Sequence, residues 1–189
     1  MRWQRSLLWV LVALAAVAAF AGARRRPERR VIIGARVGGL YAEGGSFPGF
    51  AVLAGETLSP RVDLAVGVGY EYTPDTGRYG HPDFSVPIFA HARWRWGEGA
   101  GSFIPCLQGD AGVTFSDYYY EDIYRNQYDA GTVNPFVAAG PGVDWRIGSR
   151  LRFTADLGYR GEFRKLADYK LFSYAYLNVG FFLKMERAY

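Results

Sequence analysis

From Val31 onward the chain alternates in polarity with a period of two, and its two parities differ in kind. The last stretch shows this most fully. In S-Y-A-Y-L-N-V-G-F-F-L-K-M, residues 173–185, one parity carries Ala175, Leu177, Val179, Phe181, Leu183 and Met185. The other carries Tyr176, Asn178, Gly180, Lys184 and, just beyond, Glu186. Successive side chains of a strand point to opposite faces, so this pattern predicts a strand with two unlike faces. Segments of the same kind fall at about 31–41, 49–57, 62–72, 84–96, 103–115, 135–146, 151–160 and 171–186, separated by Gly, Pro, Asp and Ser clusters. No sustained helical stripe follows residue 23, and the fold class read from the sequence is all-β.

Sorted by parity, one face gathers Val62, Leu64, Val66, Val68, Tyr70 and Tyr72, then Phe84, Val86, Ile88, Ala90, Ala92, Trp94 and Trp96, and so on through the later segments without a charge. The opposite face gathers Arg36, Asp63, Glu71, His91, Arg93, Arg95, Asp110, Asp144, Arg146, Arg152, Asp156, Arg160 and Lys184, interleaved with glycines. Glycine separates inside from outside. A small barrel has a narrow interior in which long charged side chains need empty neighbours, whereas an exterior has no such crowding. The charged, glycine-rich face is therefore expected inside, and the charge-free face outside. Only hydrocarbon rewards a continuous apolar exterior of this extent, and a Lys or Arg there would cost about 2–4 kcal/mol near the bilayer midplane. Tyr70, Tyr72, Trp94, Trp96, Trp145 and Tyr159 lie near segment ends on that face, where amphipathic rings settle at the lipid–water boundary. The architecture expected is an eight-stranded antiparallel up-and-down transmembrane β-barrel. A soluble barrel would need the opposite polarity, apolar inside and charged outside.

The connections are expected to alternate, short at 58–61, 97–102 and 147–150 and longer at 42–48, 73–83, 116–134 and 161–170. The short side, which also carries both ends of the barrel segment, would face the periplasm. Pro87, Pro105 and Pro141 fall inside segments and call for bulges. The segment 49–57 is apolar on both parities and leaves Glu56 without an assigned face.

Ahead of the barrel domain, 31–189, Arg2 and Arg5 precede an apolar run from Leu7 to Phe20 that ends in Ala21-Gly22-Ala23, the form of a secretory cleavage site. Residues 1–23 are read as a removed signal peptide. Because Arg24, Arg25, Arg26, Arg29 and Arg30 follow at once, and positive charge there resists translocation, an uncleaved anchor stays open. Residues 24–30 form a basic tail, either solvated or held on anionic lipid or polysaccharide. The formal charge of +4 lies mostly in these N-terminal residues, so nothing points to nucleic acid as a partner.

On these residues the chain resembles the small outer-membrane β-barrels of Gram-negative bacteria, the OmpA/OmpX/OmpW-like group, over roughly residues 31–189. Proteins of that group commonly end in an assembly motif of the form polar, x, Gly, x, x, apolar, x, apolar. Here Asn178, Gly180, Leu183 and Met185 fill it. The resemblance implies that the last strand engages the barrel-assembly machinery, that the protein reaches the outer membrane by signal-peptide-directed export, and that its surroundings are outer-membrane lipid and lipopolysaccharide. The tail Glu186-Arg187-Ala188-Tyr189 departs from the pattern, in which the terminal residue is often the last aromatic of the motif.

Eight-stranded interiors are filled by side chains, so the inward charges are expected to pair with one another rather than line a pore. Outer-membrane barrels of this size include lipid-modifying enzymes, and a hydrolase needs a nucleophile, a base and an orienting acid within reach. The chain has two His: His91 on the inward parity, expected to bond a neighbouring charge, and His81 in a connection. The lone Cys106 and two distant His make no metal-ligand set, and no cofactor is expected. The connection 116–134 is different in character, with Tyr118, Tyr119, Tyr120, Tyr124 and Tyr128 among Asp117, Glu121, Asp122 and Asp129. Tyrosines there either extend the interface belt and pack the loop on itself, or supply rigid contact area for an extracellular ligand. The expected function is non-enzymatic, a structural or adhesin-like surface role through the loops. The alternatives are a narrow transporter of small or apolar molecules and, behind it, a lipid-modifying enzyme.

Overall fold

The computed structural model describes residues 30–42, 45–73, 83–97, 103–121, 127–165 and 169–185. They form eight strands: β1 (Arg30–Ala42), β2 (Gly45–Ser59), β3 (Val62–Thr73), β4 (Asp83–Arg95), β5 (Phe103–Glu121), β6 (Gln127–Arg146), β7 (Leu151–Lys165) and β8 (Tyr169–Met185). Each pairs antiparallel with the next, and β8 pairs with β1 from Val31↔Met185 to Tyr41↔Ala175, closing the barrel. Closure leaves the membrane-height backbone no unpaired sheet edge, which a lipid-exposed strand could not tolerate.

The two parities take the faces expected of them. In β1, β3 and β4, and over 103–115 of β5, 133–145 of β6, 151–163 of β7 and 171–185 of β8, no charged side chain stands on the outward parity; Val37, Leu107, Val137, Leu157, Val179 and Phe181 are exposed there. The inward parity holds Asp63, His91, Arg93, Arg95, Asp110, Asp144, Arg152, Asp156 and Arg160, all buried. Glycine makes the close approaches possible. A Cβ on Gly140 would stand 2.0 Å from the Leu157 carbonyl oxygen, and one on Gly112 would stand 2.1 Å from that of Ile88.

Aromatic rings stack around the outer face in two bands. Toward the end with the short β2–β3 and β6–β7 turns, Trp94 meets Trp96 at 4.7 Å, Phe103 meets Trp145 at 5.5 Å, and Phe153 meets Phe181 at 5.3 Å. Toward the other end Tyr70 lies between Phe50 and Phe84, at 5.9 and 6.1 Å. These separations fall in the range where rings attract one another beyond their area burial.

Two features differ from the sequence reading, and two others concern what it left open. The strands on the side expected to carry long connections are themselves long, so the chain between them shrinks to residues 43–44, 122–126 and 166–168, and only 74–82 keeps its expected length. No bulge forms at Pro87 or Pro141. The ladder instead skips Gly69 and Tyr70 opposite Pro87 and Val86, and skips Gly140 and Pro141 opposite β7, and then resumes in the same register. A proline cannot donate, so one bond is simply missing at each place. The one register shift between strands β2 and β3 lies at Thr57/Ser59. The third feature is β2, which the sequence left unoriented: Ala51 and Leu53 face in and Phe50 and Val52 face out. Ile32, Ala51, Leu53, Ala65, Phe89, Phe136 and Phe182 form an apolar cluster in the lumen, which accounts for the two-sided apolarity of β2. Last, Glu56 stands in register with the outward Val31 and Leu64, yet is 8% exposed.

Candidate functional site: the lumen and the β5–β6 hairpin

Ion pairs cross the lumen at successive heights. At the short-turn end Arg95 on β4 and Arg152 on β7 share Asp63 on β3, the second at 3.5 Å, and Arg95 Nε also donates to Asp144 on β6 at 2.6 Å. One step in, Arg93 donates to Asp144 and, at 2.7 Å, to Asp156 on β7. Midway, Asp110 on β5 accepts from Arg36 on β1 at 2.6 Å and contacts His91 Nδ1 at 2.6 Å, while Gln108 Nε2 donates to the Tyr176 hydroxyl at 2.9 Å. Toward the hairpin end Arg160 on β7 donates to Glu71 on β3 and to Thr114, both at 2.5 Å, and to Glu162 at 3.0 Å.

β1 and β5 are diametrically opposite in a ring of eight, as are β3 and β7, so the pairs Arg36–Asp110, Arg152–Asp63 and Arg160–Glu71 span the full width of the barrel. Guanidinium planes also lie over rings: Arg160 over Phe136 at 3.9 Å, Arg36 over Phe89 at 4.6 Å, Arg93 over Phe182 at 5.2 Å. Such contacts fill the space beside each charge with polarizable carbon and strengthen its hold. Between the middle and upper levels remains a cavity of about 50 Å³ bordered by Arg36, Glu71, Asp110, Arg160, Tyr176 and Asn178.

The chemistry available here is limited. His91 and Asp110 make the histidine–acid half of a hydrolytic set, but His91 Nε2 has no hydrogen-bond partner among the described residues, so no hydroxyl is in place for it to activate. The ring stacks on Phe182 at 6.1 Å and is 2% exposed. It is a buried imidazole bonded to a neighbouring charge, as its parity suggested. Cys106 is fully buried, and no group of three or more potential metal ligands occurs among the described residues. His81 lies outside the described residues.

The tyrosine-rich segment is not a loop. β5 leaves β4 at Phe84↔Asp117 and continues to Glu121, and β6 runs from Gln127 but meets β7 only at Phe136↔Glu162. Between these points the two strands pair, among the described residues, only with each other, through Tyr118↔Ala130, Tyr119↔Asp129, Tyr120↔Tyr128 and Glu121↔Gln127. Tyr118, Tyr119, Tyr120 and Tyr128 thus belong to a two-stranded ribbon that rises from the barrel; Tyr124 lies outside the described residues. At the seam, Asn178 and Gly180 of β8 stand opposite Gly38 and Arg36 of β1, and Leu183 and Met185 stand outward opposite Ile33 and Val31.

No protein-family model matches the chain, and no curated protein matches it either. Solved structures do. Neisserial surface protein A is similar at a TM-score of 0.56 and 17% identity, over 83% of this chain and 97% of that one. Outer membrane protein H (OprH) from Pseudomonas aeruginosa gives 0.55 and 11%, over 82% and 99%. The N-terminal β-barrel domain of Pseudomonas aeruginosa OprF gives 0.50 and 18%, over 82% and 97%. The chain has the fold of a small outer-membrane barrel. In an outer-membrane barrel the two aromatic bands mark the two lipid–water boundaries, and the ribbon of β5 and β6 stands beyond the upper one.

Proposed function

We propose that the chain is a non-enzymatic outer-membrane protein whose lumen is closed, and that it acts at the cell surface through the β5–β6 ribbon. The observation that carries this reading is the ribbon's pairing: among the described residues its strands leave both neighbours, so β6 offers an open edge from residue 127 to 133. An open edge displays unpaired N–H and C=O groups and invites strand addition by a partner, with tyrosines supplying contact area alongside. The luminal pairs that span the full width of the barrel support a rigid base rather than a passage. In this reading residues 1–23 direct export and the short-turn end faces the periplasm. Lipid and lipopolysaccharide surround the outward face, and the β8 motif of Asn178, Gly180, Leu183 and Met185 engages the assembly machinery.

The test is envelope fractionation, followed by gel mobility with and without heating and by planar-bilayer recording. An outer-membrane band whose mobility changes on heating, with no single-channel steps, is the expected result. Resolved steps would replace the closed base with narrow transport, and a soluble protein would end the reading altogether.

A further inference from the structure

The charges at the short-turn end do not balance as those above them do. Arg30 on β1, Arg95 on β4, Arg146 on β6, Arg152 on β7 and Lys184 on β8 all take the inward parity there. The acids facing them are shared: Asp63 takes Arg95 and Arg152 on Oδ2, its Oδ1 lying without a hydrogen-bond partner among the described residues, and Asp144 takes Arg93 and Arg95. No acid among the described residues pairs with Lys184 or Arg146. Arg146 and Arg152 are direct cross-strand partners, a like-charge juxtaposition that weakens a sheet. The backbone N–H of Lys184 donates to the Arg150 carbonyl at 2.7 Å, and its ammonium stands in the field of three cations, Arg152, Arg30 and Arg95, against one acid, Asp63. Within this cluster Arg95 is 1% exposed, and its Nη1 has no hydrogen-bond partner.

A buried guanidinium with an unmet N–H, set among cations that exceed their acids, is costly unless something acidic completes it. The complement must bring acceptor oxygens to several converging donors at once. A phosphate does so from one atom, and charge-assisted bonds to it are the strong kind. We infer that the short-turn mouth of the barrel is a binding site for a phosphate group, held by Arg95, Arg152 and Lys184 and flanked by Arg146 and Arg30. Two sources lie within reach. Trp94, Trp96 and Trp145 ring the outside of this mouth at the depth where lipid headgroups sit, and the mouth itself opens to the aqueous compartment. The site lies at the opposite end of the barrel from the ribbon and stands whether or not the ribbon binds anything.

The full chain, folded in octyl glucoside, which contains no phosphate, would be titrated at low salt with inorganic phosphate by calorimetry. Saturable binding is expected, weakened at least tenfold in the double variant Lys184→Gln/Arg146→Gln. Both positions are only half-buried and outside the paired network, and an unchanged heat-dependent mobility shift would show the variant folded. Repeating the titration in phosphatidylglycerol vesicles separates the sources: abolished phosphate binding assigns the site to a lipid headgroup, and retained binding assigns it to a soluble phosphate. Absence of saturable binding in the detergent, or equal binding by the folded double variant, would overturn the inference.

Discussion

Arg93 is the residue on which the lower lumen turns. It is 2% exposed and joins Asp144 on β6 to Asp156 on β7 from the far side of the barrel, with the ring of Phe182 beneath it. Removing one member of a buried ion network leaves the others charged and unpaired, which typically costs about 3–5 kcal/mol, more than the network contributes over an apolar replacement. Arg93→Met is therefore expected to lower the unfolding free energy by about that amount, because Asp156 loses the guanidinium that bonds it while Asp144 keeps Arg95. Adding Asp156→Asn should restore roughly 1–3 kcal/mol, since it removes the stranded charge. Urea unfolding of single and double variants in lipid vesicles would measure the coupling. Additive effects would mean that the lumen is wet enough to solvate Asp156 by itself.

Among the elements, the β5–β6 hairpin separates what the barrel needs from what it displays. Every ladder that closes the barrel lies below Asp117 on β5 and Phe136 on β6. Replacing residues 118–130 by a two-residue Asn-Gly turn is expected to leave the heat-dependent mobility and the unfolding free energy unchanged within about 0.5 kcal/mol, the usual range for changes away from packed features. It should abolish binding to any surface ligand found for the intact chain. A large loss of stability would make the ribbon part of the fold. The same hairpin marks where the sequence stopped being legible. The membrane-height strands announced themselves because lipid on one side and a crowded lumen on the other impose a strict alternation; β8 shows it through Val179, Phe181 and Leu183 against Asn178, Gly180 and Lys184. Above the belt both faces of a ribbon are wet, the alternation vanishes, and S-D-Y-Y-Y-E looks like a loop; the β-propensity of three adjacent tyrosines was the remaining signal. β2 failed for the reverse reason. Its inward Ala51 and Leu53 join a luminal apolar cluster, so both faces are apolar and Glu56 could not be placed. The luminal pairs were legible as types and parity, but not as partners, because Arg36–Asp110 and Arg160–Glu71 join strands four apart across the ring.

For the whole molecule, the distribution of charge matters more than its sum. Apart from Glu56, the charged residues of the described strands at membrane height stand on the inward parity, walled off from the bilayer, and Arg93, Arg95, Asp110, Asp144 and Asp156 among them are buried. Salt screens charges that it can surround, and the Debye length falls to about 3 Å at 1 M, but buried pairs are screened far less. The stability of the folded barrel in zwitterionic vesicles is accordingly expected to change by less than about 1 kcal/mol between 0.05 and 1 M sodium chloride, whereas a barrel held by exposed pairs would lose more. The measurement also bears on passage through the lumen. Ions that reached Arg93, Arg95 and Asp144 would screen the network as they passed, so a conducting barrel would lose stability with salt, and a closed one would not. Marked salt weakening alongside silent bilayers would locate the wet region at the short-turn mouth, where Lys184 and Arg146 are only half-buried; weakening alongside channel steps would show that the levels of ion pairs open.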